Sequence, residues 1–493
     1  MEKFKNYING EWVAPKSGEY FKNISPANIN DVIGEFPFSG QEDVNDAVKA
    51  ARAAFKLWKS IPAPKRGELM KNVGDILVRR KKEIARCMTR EMGKPTFETE
   101  GDVQEAIDTA YYAASETRRL FGQTAPSEMP NKVNLTFRVP IGVVGVITAF
   151  NFPLAVPSWK IIPAIAAGNT VVYKPSKDAP HAGVLFAEVM EEAGIPKGVF
   201  NVLLGKGSMG DMIVKHPDVN VIGFTGSTEI GCKIAEIGGR LNKKVSLEMG
   251  GKNAQIIMND ANLELALNGA VWGAFGTTGQ RCTATSRLII QSGVYDKFIE
   301  MIKEKAVSLK IGDGLKPDTE MGPLVHEASL KNVEKYCEIA KKEGGRLICG
   351  GERATGKDLD NGYFWKPTIF ADVTDKMTLF NEEVFGPVLS ITKCETLDEA
   401  IALQNHSAYG LSAAIYTNNI NDAFKAVDEI ESGLTYVNGP TIGAEAHMPF
   451  GGTKGTGNGH REGGWTAFDI FTEWKTVYID YSNQLQRAQI DNN

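Results

Sequence analysis

Hydrophobic positions change their spacing several times along the chain, and each change predicts a different kind of element. Short apolar stretches flank Asn9-Gly10, and residues 7–13 predict a β-hairpin because Asn-Gly favours the positive φ angles of a type I′ turn. From residue 43 the spacing becomes helical, with apolar side chains on one face at Val44, Val48, Ala51, Phe55 and Trp58. Two further helices are predicted, over about residues 65–90 and 99–121.

From residue 139 onward, buried strands alternate with helices. The predicted strands are residues 143–150, 170–173, 200–204 and 219–224, and the predicted helices are 159–167, 181–193, about 210–214, and one starting at Thr228. The alternation restarts after Gly250 with a strand at 255–258, a helix at 263–275, a strand at 286–291 and a helix at 295–309. Two parallel, doubly wound sheets in two α/β domains are therefore expected.

Composition narrows the class of protein. The 493 residues carry a net charge of −5 and no basic block, so no nucleic-acid partner is expected. The N-terminus lacks an apolar segment, and the longest charge-free stretch, residues 139–159, contains three prolines, which favours a strand and a loop over a membrane span. We expect a cytoplasmic protein that does not bind membranes. The six cysteines form no CxxC, and no histidines pair at metal-ligand spacing, so no metal site is expected.

Two glycine-containing turns could bind a dinucleotide. Residues 205–210 match GxGxxG, but no acidic residue follows about 20 positions later, where Phe224 stands. In the second turn, Gly226-Ser227 joins an apolar strand to a helix, and Ser227 could cap that helix while free N–H groups face an anion. Taken alone, this second pattern is more often an ordinary capped turn.

Three side chains that could take part in catalysis lie at or near strand ends, where ligands of open α/β sheets bind. Cys282 occupies a polar, glycine-flanked loop beside Arg281, which would favour the thiolate, although a lone cysteine is usually a small core residue. Glu248 precedes a Gly-Gly turn and is either a general base or a solvated acid. Asn151 ends another strand and is either an amide donor or a turn-forming residue.

Seven motifs follow one another in an order and at spacings that resemble those of the aldehyde dehydrogenase superfamily. This resemblance covers essentially the whole chain. They are AFNFP, KPS, FTGSTEIG, LEMGGK, GQRC, EEVFGPV and PFGGTKGTGNGHRE. The resemblance implies an α/β fold with a Rossmann-like cofactor domain, a second α/β catalytic domain and a small β oligomerisation arm. The implied bounds are 1–121 with 139–250, then 251–456, and 122–138 with 470–493 for the arm. A homodimer or homotetramer is expected.

The implied activity is oxidation of an aldehyde to a carboxylic acid with NAD(P)+, through a thiohemiacetal and a thioester. By resemblance, Cys282 is the nucleophile, and Asn151 stabilises the oxyanion together with the backbone N–H of Cys282. Glu248 resembles the general base that activates water. Lys160 and Glu462 match positions linked to proton relay in some relatives.

The resemblance also implies a set of cofactor-binding residues. They are Phe150, Lys174, Ser176, Lys177, Ser208, Gly226, Ser227, Ile230, Met249, Glu383 and Phe385. Glu383 and Phe385 would hold the nicotinamide ribose, and Lys174 the adenosine ribose. Many NAD-preferring relatives carry Glu where this chain has Lys177, and a lysine can pair with a 2′-phosphate, so NADP is favoured over NAD. A Lys177 that only points into solvent is the alternative.

Two alternatives to a hydrolytic enzyme remain at this point. An acylating relative would pass the thioester to coenzyme A, although such relatives commonly lack a glutamate at the position of Glu248. A catalytically silent, ligand-binding relative is the other. The motifs look most like semialdehyde dehydrogenases, such as those for 2-oxoglutarate or aminoadipate semialdehyde, and Arg281, Arg118 or Arg119 could hold a substrate carboxylate.

Overall fold

The structure is a computed structural model of the chain, and it describes residues 1–491. The helices are α1 (Gln41–Ser60), α2 (Ala63–Met92), α3 (Thr96–Glu116), α4 (Ala155–Ala167), α5 (Pro180–Glu192), α6 (Ser208–Lys215), α7 (Thr228–Arg240), α8 (Leu263–Phe275), α9 (Tyr295–Ser308), α10 (Glu327–Lys342), α11 (Thr378–Asn381), α12 (Leu397–Asn405) and α13 (Ile420–Glu429). Short 3₁₀ turns cover Gly276–Gly279 and Trp465–Phe468.

The strands form two large sheets and three small ones. They are β1 (Asn6–Ile8), β2 (Glu11–Val13), β3 (Tyr20–Ile24), β4 (Val32–Pro37), β5 (Thr124–Pro126), β6 (Lys132–Pro140), β7 (Val143–Ile147), β8 (Thr170–Lys174), β9 (Phe200–Val202), β10 (Val221–Thr225), β11 (Lys244–Glu248), β12 (Asn253–Ile257), β13 (Thr285–Gln291), β14 (Arg346–Cys349), β15 (Thr368–Ala371), β16 (Val388–Cys394), β17 (Tyr409–Gly410), β18 (Ser412–Tyr416), β19 (Leu434–Val437), β20 (Thr453–Lys454) and β21 (Thr472–Asp480).

The first large sheet has the strand order β11-β10-β7-β8-β9-β1-β2. The five strands from β11 to β9 run parallel, and the β1–β2 hairpin adds two antiparallel strands at one edge. The predicted hairpin is confirmed, with Asn9 and Gly10 both at positive φ. Helices α1, α6 and α7 pack on one face and α2 to α5 on the other, as the doubly wound pattern predicted.

The second large sheet has the order β14-β15-β16-β13-β12-β18-β19. All its pairings are parallel except β14–β15. Helices α8 and α9 cover one face, and α12 and α13 the other. The predicted two α/β units are therefore confirmed. Among residues 1–491, none of the helices has both the length and the apolar character needed to cross a bilayer.

Several predicted boundaries differ from the structure. The strand predicted to reach residue 150 ends at Ile147, and α4 begins at Ala155 rather than at Trp159. Pro157 lies in the first turn of α4, where a missing N–H costs nothing, so the proline did not mark a loop as we expected. Helix α3 stops at Glu116 rather than at residue 121, and the Thr117 hydroxyl donates a hydrogen bond to the Ala114 carbonyl at that end.

The two segments of the predicted arm form a three-stranded sheet of their own, in the order β21-β6-β5. Strand β21 pairs with β6 along nine residues, from Thr472 opposite Pro140 to Asp480 opposite Lys132. The last two residues of the predicted arm, 492 and 493, lie outside the described residues. The arm's part in oligomerisation stays a prediction.

A buried arginine ties α2 to the carboxyl end of α4, and its removal should destabilise the fold. Arg66 donates hydrogen bonds to the carbonyls of Ala166 (2.9 Å), Ala167 (3.0 Å) and Ile61. Arg66→Met leaves these carbonyls unpaired, so we expect a loss of about 3 kcal/mol in the free energy of unfolding, measured by urea denaturation. The exposed Arg52→Met on α1 is the matched control and should change this free energy by less than about 0.5 kcal/mol. Equal losses in both variants would contradict the assignment.

Candidate active site

Cys282 lies in the loop between the 3₁₀ turn Gly276–Gly279 and β13. Its backbone carbonyl accepts a hydrogen bond from Asn253 Nδ2 at 2.7 Å, which fixes the loop against β12. A Cβ atom added at Gly251 would lie 2.3 Å from the same carbonyl. We call residues 276–284 the thiol loop. Only glycine at position 251 allows the turn after β11 to approach this loop so closely.

The environment of the thiol opposes its ionisation. Burial, together with the negative charges of Glu248 and Glu383, raises the pKa of the Cys282 thiol to about 12. The expectation that Arg281 favours the thiolate is wrong, because the Arg281 guanidinium forms an ion pair with Glu98 at 2.7 Å instead. Ionisation of this thiol therefore requires a proton acceptor.

Glu248 ends β11, only 4% exposed, and neither of its carboxylate oxygens has a hydrogen-bond partner among residues 1–491. Burial raises the pKa of Glu248 well above its ordinary value, and the charge of Glu462 adds to the effect. Lys160, on α4, donates to Glu462 and, at 2.6 Å, to the Thr225 hydroxyl. The structure thus brings Lys160 and Glu462, both predicted from the sequence, into one buried group with Glu248.

Asn151 lies in the loop between β7 and α4 and is buried. Its backbone carbonyl accepts a hydrogen bond from Lys94 Nζ at 3.0 Å, and Lys94 forms a fully buried ion pair with Asp102 at 2.7 Å. Asp102, on α3, thereby fixes the position of the Asn151 carbonyl through Lys94. Phe152, the next residue of this loop, packs in the same apolar cluster as Cys282.

A cavity of about 670 Å³ opens in front of Cys282. Aromatic rings line it at Phe97, Tyr111, Tyr112, Phe152, Trp159, Trp272 and Phe450. Arg281 also lines this cavity. Arg118 and Arg119, proposed from the sequence as partners of a substrate carboxylate, are not among its lining residues, and Arg119 forms an ion pair with Glu116. They follow the end of α3, which carries them away from the cavity.

The predicted pyrophosphate turn lies at the start of α7. Ser227 caps this helix, with its hydroxyl accepting from the Ile230 N–H at 3.4 Å. The Gly226 N–H donates to the Glu248 carbonyl at 3.1 Å, so the turn and the buried acid are adjacent. Met249 is buried beneath α7, while Ile230 is exposed at its first turn.

Glu383 is half-buried and Lys174 is buried, and both have few protein partners. Desolvation raises the pKa of Glu383 to about 7, although its carboxylate accepts from the Gly251 N–H at 2.9 Å. Burial lowers the pKa of Lys174 to about 8, and among residues 1–491 its ammonium binds only the Pro175 carbonyl. The Phe385 ring meets Phe150 edge-on, at 6.0 Å between centroids.

A second cavity, of about 410 Å³, brings Lys177 together with Lys206 and Gly207 of the GxGxxG segment. Lys177 is 48% exposed and forms an ion pair with Asp178. Ser176 accepts a hydrogen bond from the Asp178 N–H at 3.2 Å. Ser208 is exposed and is not among the lining residues.

These groups fit a nicotinamide dinucleotide. A capped helix start suits a pyrophosphate, while the nearly unpartnered, buried Lys174 and the half-buried Glu383 carboxyl suit ribose hydroxyls. Sequence reasoning missed Lys206, His326 beside Phe150, and the buried acids Glu98 and Asp102. The signal for the acids was present, since Asp102 shares the apolar face of α3 with Ala106 and Ala110.

Comparisons with known proteins give one consistent assignment. The model of the aldehyde dehydrogenase family matches residues 12–477. The alpha-ketoglutaric semialdehyde dehydrogenase of Bacillus subtilis is 42% identical over 477 residues, which cover 97% of this chain and 98% of that protein. The alpha-ketoglutarate semialdehyde dehydrogenase of Haloferax volcanii is 41% identical over 479 residues, covering 97% and 99%.

The fold leads to the same family. The crystal structure of an NAD-dependent aldehyde dehydrogenase from Sinorhizobium meliloti superposes with a TM-score of 0.95 at 35% identity, covering 98% of this chain and 96% of that one. Because the family match spans most of the sequence and both relatives exceed 40% identity over almost its full length, the chain belongs to the aldehyde dehydrogenase family.

Proposed function

We propose that this aldehyde dehydrogenase oxidises a semialdehyde to the corresponding carboxylic acid by way of a thioester on Cys282. The proposal rests on the proximity of the Cys282 thiol and the Glu248 carboxyl. Cys282 lines the 670 Å³ cavity, and Glu248, whose charge acts on the thiol, is buried with both oxygens unpartnered among residues 1–491. A nucleophile beside an uncommitted base is the arrangement that covalent catalysis followed by hydrolysis requires.

In the first half-reaction, Cys282 Sγ forms a bond to the aldehyde carbon and the thiol proton passes to a base. Because the thiol has a pKa of about 12, Glu248 takes this proton during attack. The carbonyl oxygen becomes an oxyanion, bound by the Asn151 side chain and the Cys282 N–H. One such donor stabilises the transition state by about 3–4 kcal/mol.

The nicotinamide, when bound, supplies a hydride acceptor, so that loss of hydride from the thiohemiacetal carbon leaves a thioester on Cys282. Lys174, Ser227 and Glu383 would hold the dinucleotide. Glu248 first gives up the thiol proton to the Lys160–Glu462 pair and to solvent. It then removes a proton from water, and the resulting hydroxide attacks the thioester carbon. Glu248 returns this second proton to the departing Cys282 sulfur, so that the acid and the thiol are released. Lys160 and Glu462 lie next to Glu248 and carry the proton onward.

Hydrolysis, rather than acyl transfer to coenzyme A, is supported by the state of Glu248. Burial raises its pKa well above the ordinary value, which makes its carboxylate a stronger base toward water. An acylating enzyme would need no base to activate water.

The substrate class is supported by the relatives, which act on alpha-ketoglutarate semialdehyde by name. Two acids of the cavity wall form ion pairs, Glu98 with Arg281 and Asp102 with Lys94, and Glu445 lies 3.4 Å from the His447 ring. The backbone carbonyl of Glu105 accepts from the Thr109 hydroxyl, but its side chain has no hydrogen-bond partner among the described residues. Burial and the charge of Asp102 raise the pKa of Glu105 to about 8, so at pH 7 its carboxylic acid can donate a hydrogen bond to a substrate carboxylate.

For the cofactor, we propose that NADP is accepted in preference to NAD. Lys177 and Lys206 line the same cavity, and two ammonium groups favour a 2′-phosphate. Asp178 pairs with Lys177 and reduces the effect.

A homodimer or homotetramer is supported by exposed apolar side chains on β21, namely Trp474, Tyr478 and Ile479. A cytoplasmic location stays a prediction from the sequence.

The role of Glu248 is tested by trapping the thioester. In Glu248→Gln, hydrolysis should slow by about 100-fold or more, and mass spectrometry during turnover should detect the acyl group on the peptide containing Cys282. Cys282→Ala is the control and should bind cofactor but form neither reduced cofactor nor adduct. Free enzyme alone in Glu248→Gln under turnover would contradict the hydrolytic role.

The cofactor preference is tested by reversing one charge. Wild type should favour NADP over NAD about threefold to tenfold in kcat/KM, and Lys177→Glu should reverse the order by repelling the phosphate. Lys22→Glu, in the same cavity wall, is the control for a general change in charge. A wild type that prefers NAD, or an unchanged ratio in Lys177→Glu, would show that Lys177 does not read the 2′ position.

The protonation of Glu105 predicts a pH dependence. Glu105 is protonated below its pKa of about 8 and becomes an unpaired carboxylate above it, which repels a substrate carboxylate. The KM for a carboxylate-bearing semialdehyde should therefore rise about fivefold to tenfold from pH 7 to 9, whereas that for an uncharged aldehyde of equal length should not. Glu105→Gln should abolish this rise and Asp108→Asn, on the same helix, should retain it. A rise that persists in Glu105→Gln would exclude Glu105.

A further inference from the structure

We propose that Glu98 and Asp102, one turn apart on α3, are positioning residues that jointly hold the loops of Cys282 and Asn151 at the separation that the oxyanion requires. We call these two acids with their partners Lys94 and Arg281 the α3 clamp. The inference rests on the proposed roles of Cys282 and Asn151. Neither acid touches the reacting atoms in this proposal.

Glu98 binds the thiol loop at three points. Its carboxylate accepts from the Thr277 N–H at 3.0 Å, from the Thr277 hydroxyl, and from Arg281 Nη2 at 2.7 Å. Arg281 Nε in turn donates to the Thr277 hydroxyl at 2.9 Å. This closed set of bonds lies next to Cys282 in sequence and fixes the backbone that carries its N–H.

The thiol loop needs such support because its backbone is strained. Thr277 and Thr278 have φ of 52° and 57°, a left-handed conformation that β-branched residues rarely adopt. Such a conformation persists only where surrounding contacts impose it. Glu98 supplies the contacts for Thr277, and the Gly322 carbonyl accepts from the Thr278 hydroxyl at 3.0 Å.

Asp102 holds the second loop through two bonds. One carboxylate oxygen binds Lys94 Nζ at 2.7 Å, and the other accepts from the Ala155 N–H at 2.7 Å, at the start of α4. Lys94 Nζ also donates to the Asn151 carbonyl and lies 3.9 Å from the centre of the Phe152 ring. The side chains of Lys94 and Asp102 are both 0% exposed, so bulk water does not compete for their hydrogen bonds.

The four-residue spacing places both acids on one face of α3, which makes the helix a rigid link between the two loops. The side chain of Asn151 and the N–H of Cys282 must meet one oxygen atom, and a displacement of about 1 Å between them can cost about 100-fold in rate. The clamp also accounts for Arg281, whose charge binds Glu98 and does not activate the thiol.

Two cofactor-free reactions of Cys282 separate positioning from thiol reactivity. Acylation by p-nitrophenyl acetate passes through an oxyanion, whereas alkylation by iodoacetamide does not. In Glu98→Gln and Asp102→Asn we expect kcat and the acylation rate to fall together by about 10-fold to 100-fold. The alkylation rate, the KM for an uncharged aldehyde and the Kd for cofactor should change less than twofold. Glu100→Gln, on the same helix, is the control and should leave every rate unchanged.

A second variant keeps the test informative if a single substitution disturbs folding. Glycine adopts positive φ without strain, so Thr277→Gly added to Glu98→Gln should restore the acylation rate at least threefold. Equal losses of acylation and alkylation, or loss of neither, would overturn the clamp. If the wild type itself is not acylated at Cys282, the proposed function fails instead, independently of the clamp.

Discussion

The site depends on one constraint: its ionisable side chains are removed from water where the two large sheets meet. Glu248 is buried there and Glu383 is half-buried, and desolvation raises the pKa of each above its ordinary value. The same burial holds the Cys282 thiol in its protonated form. Forming a charge on any of these three groups costs free energy because little water solvates it. A proton therefore leaves one of them most easily when an acceptor is already in contact.

Close backbone approach is what brings these groups together. The turn after β11 contains Gly250 and Gly251, and a Cβ atom at Gly250 would lie 2.5 Å from Glu383 Oε2. The turn therefore joins the last strand of the first sheet to the first strand of the second while touching both the thiol loop and the Glu383 carboxyl. A single bulky residue here would separate Glu248 from Cys282.

Helix α3 adds a third element to this junction. It packs against α2 and α4 in the first domain, yet its buried acids reach the thiol loop of the second. Charged side chains on its apolar face are stable because each meets an opposite charge or several N–H groups. The helix thus links the position of Asn151, in one domain, to that of Cys282, in the other.

Local pattern determined the two α/β units, the hairpin at Asn9-Gly10 and the motifs that identify the family, because strand and helix periodicity and turn chemistry are properties of neighbouring residues. It did not determine where β7 ends, nor the ionisation of Cys282, nor the partner of Arg281. Those depend on contacts between distant segments: Arg281 and Glu98 are 183 residues apart, and Lys160 and Glu462 are 302 apart. Burial and pairing set the charge of a side chain, and only the tertiary structure decides which side chains are buried together.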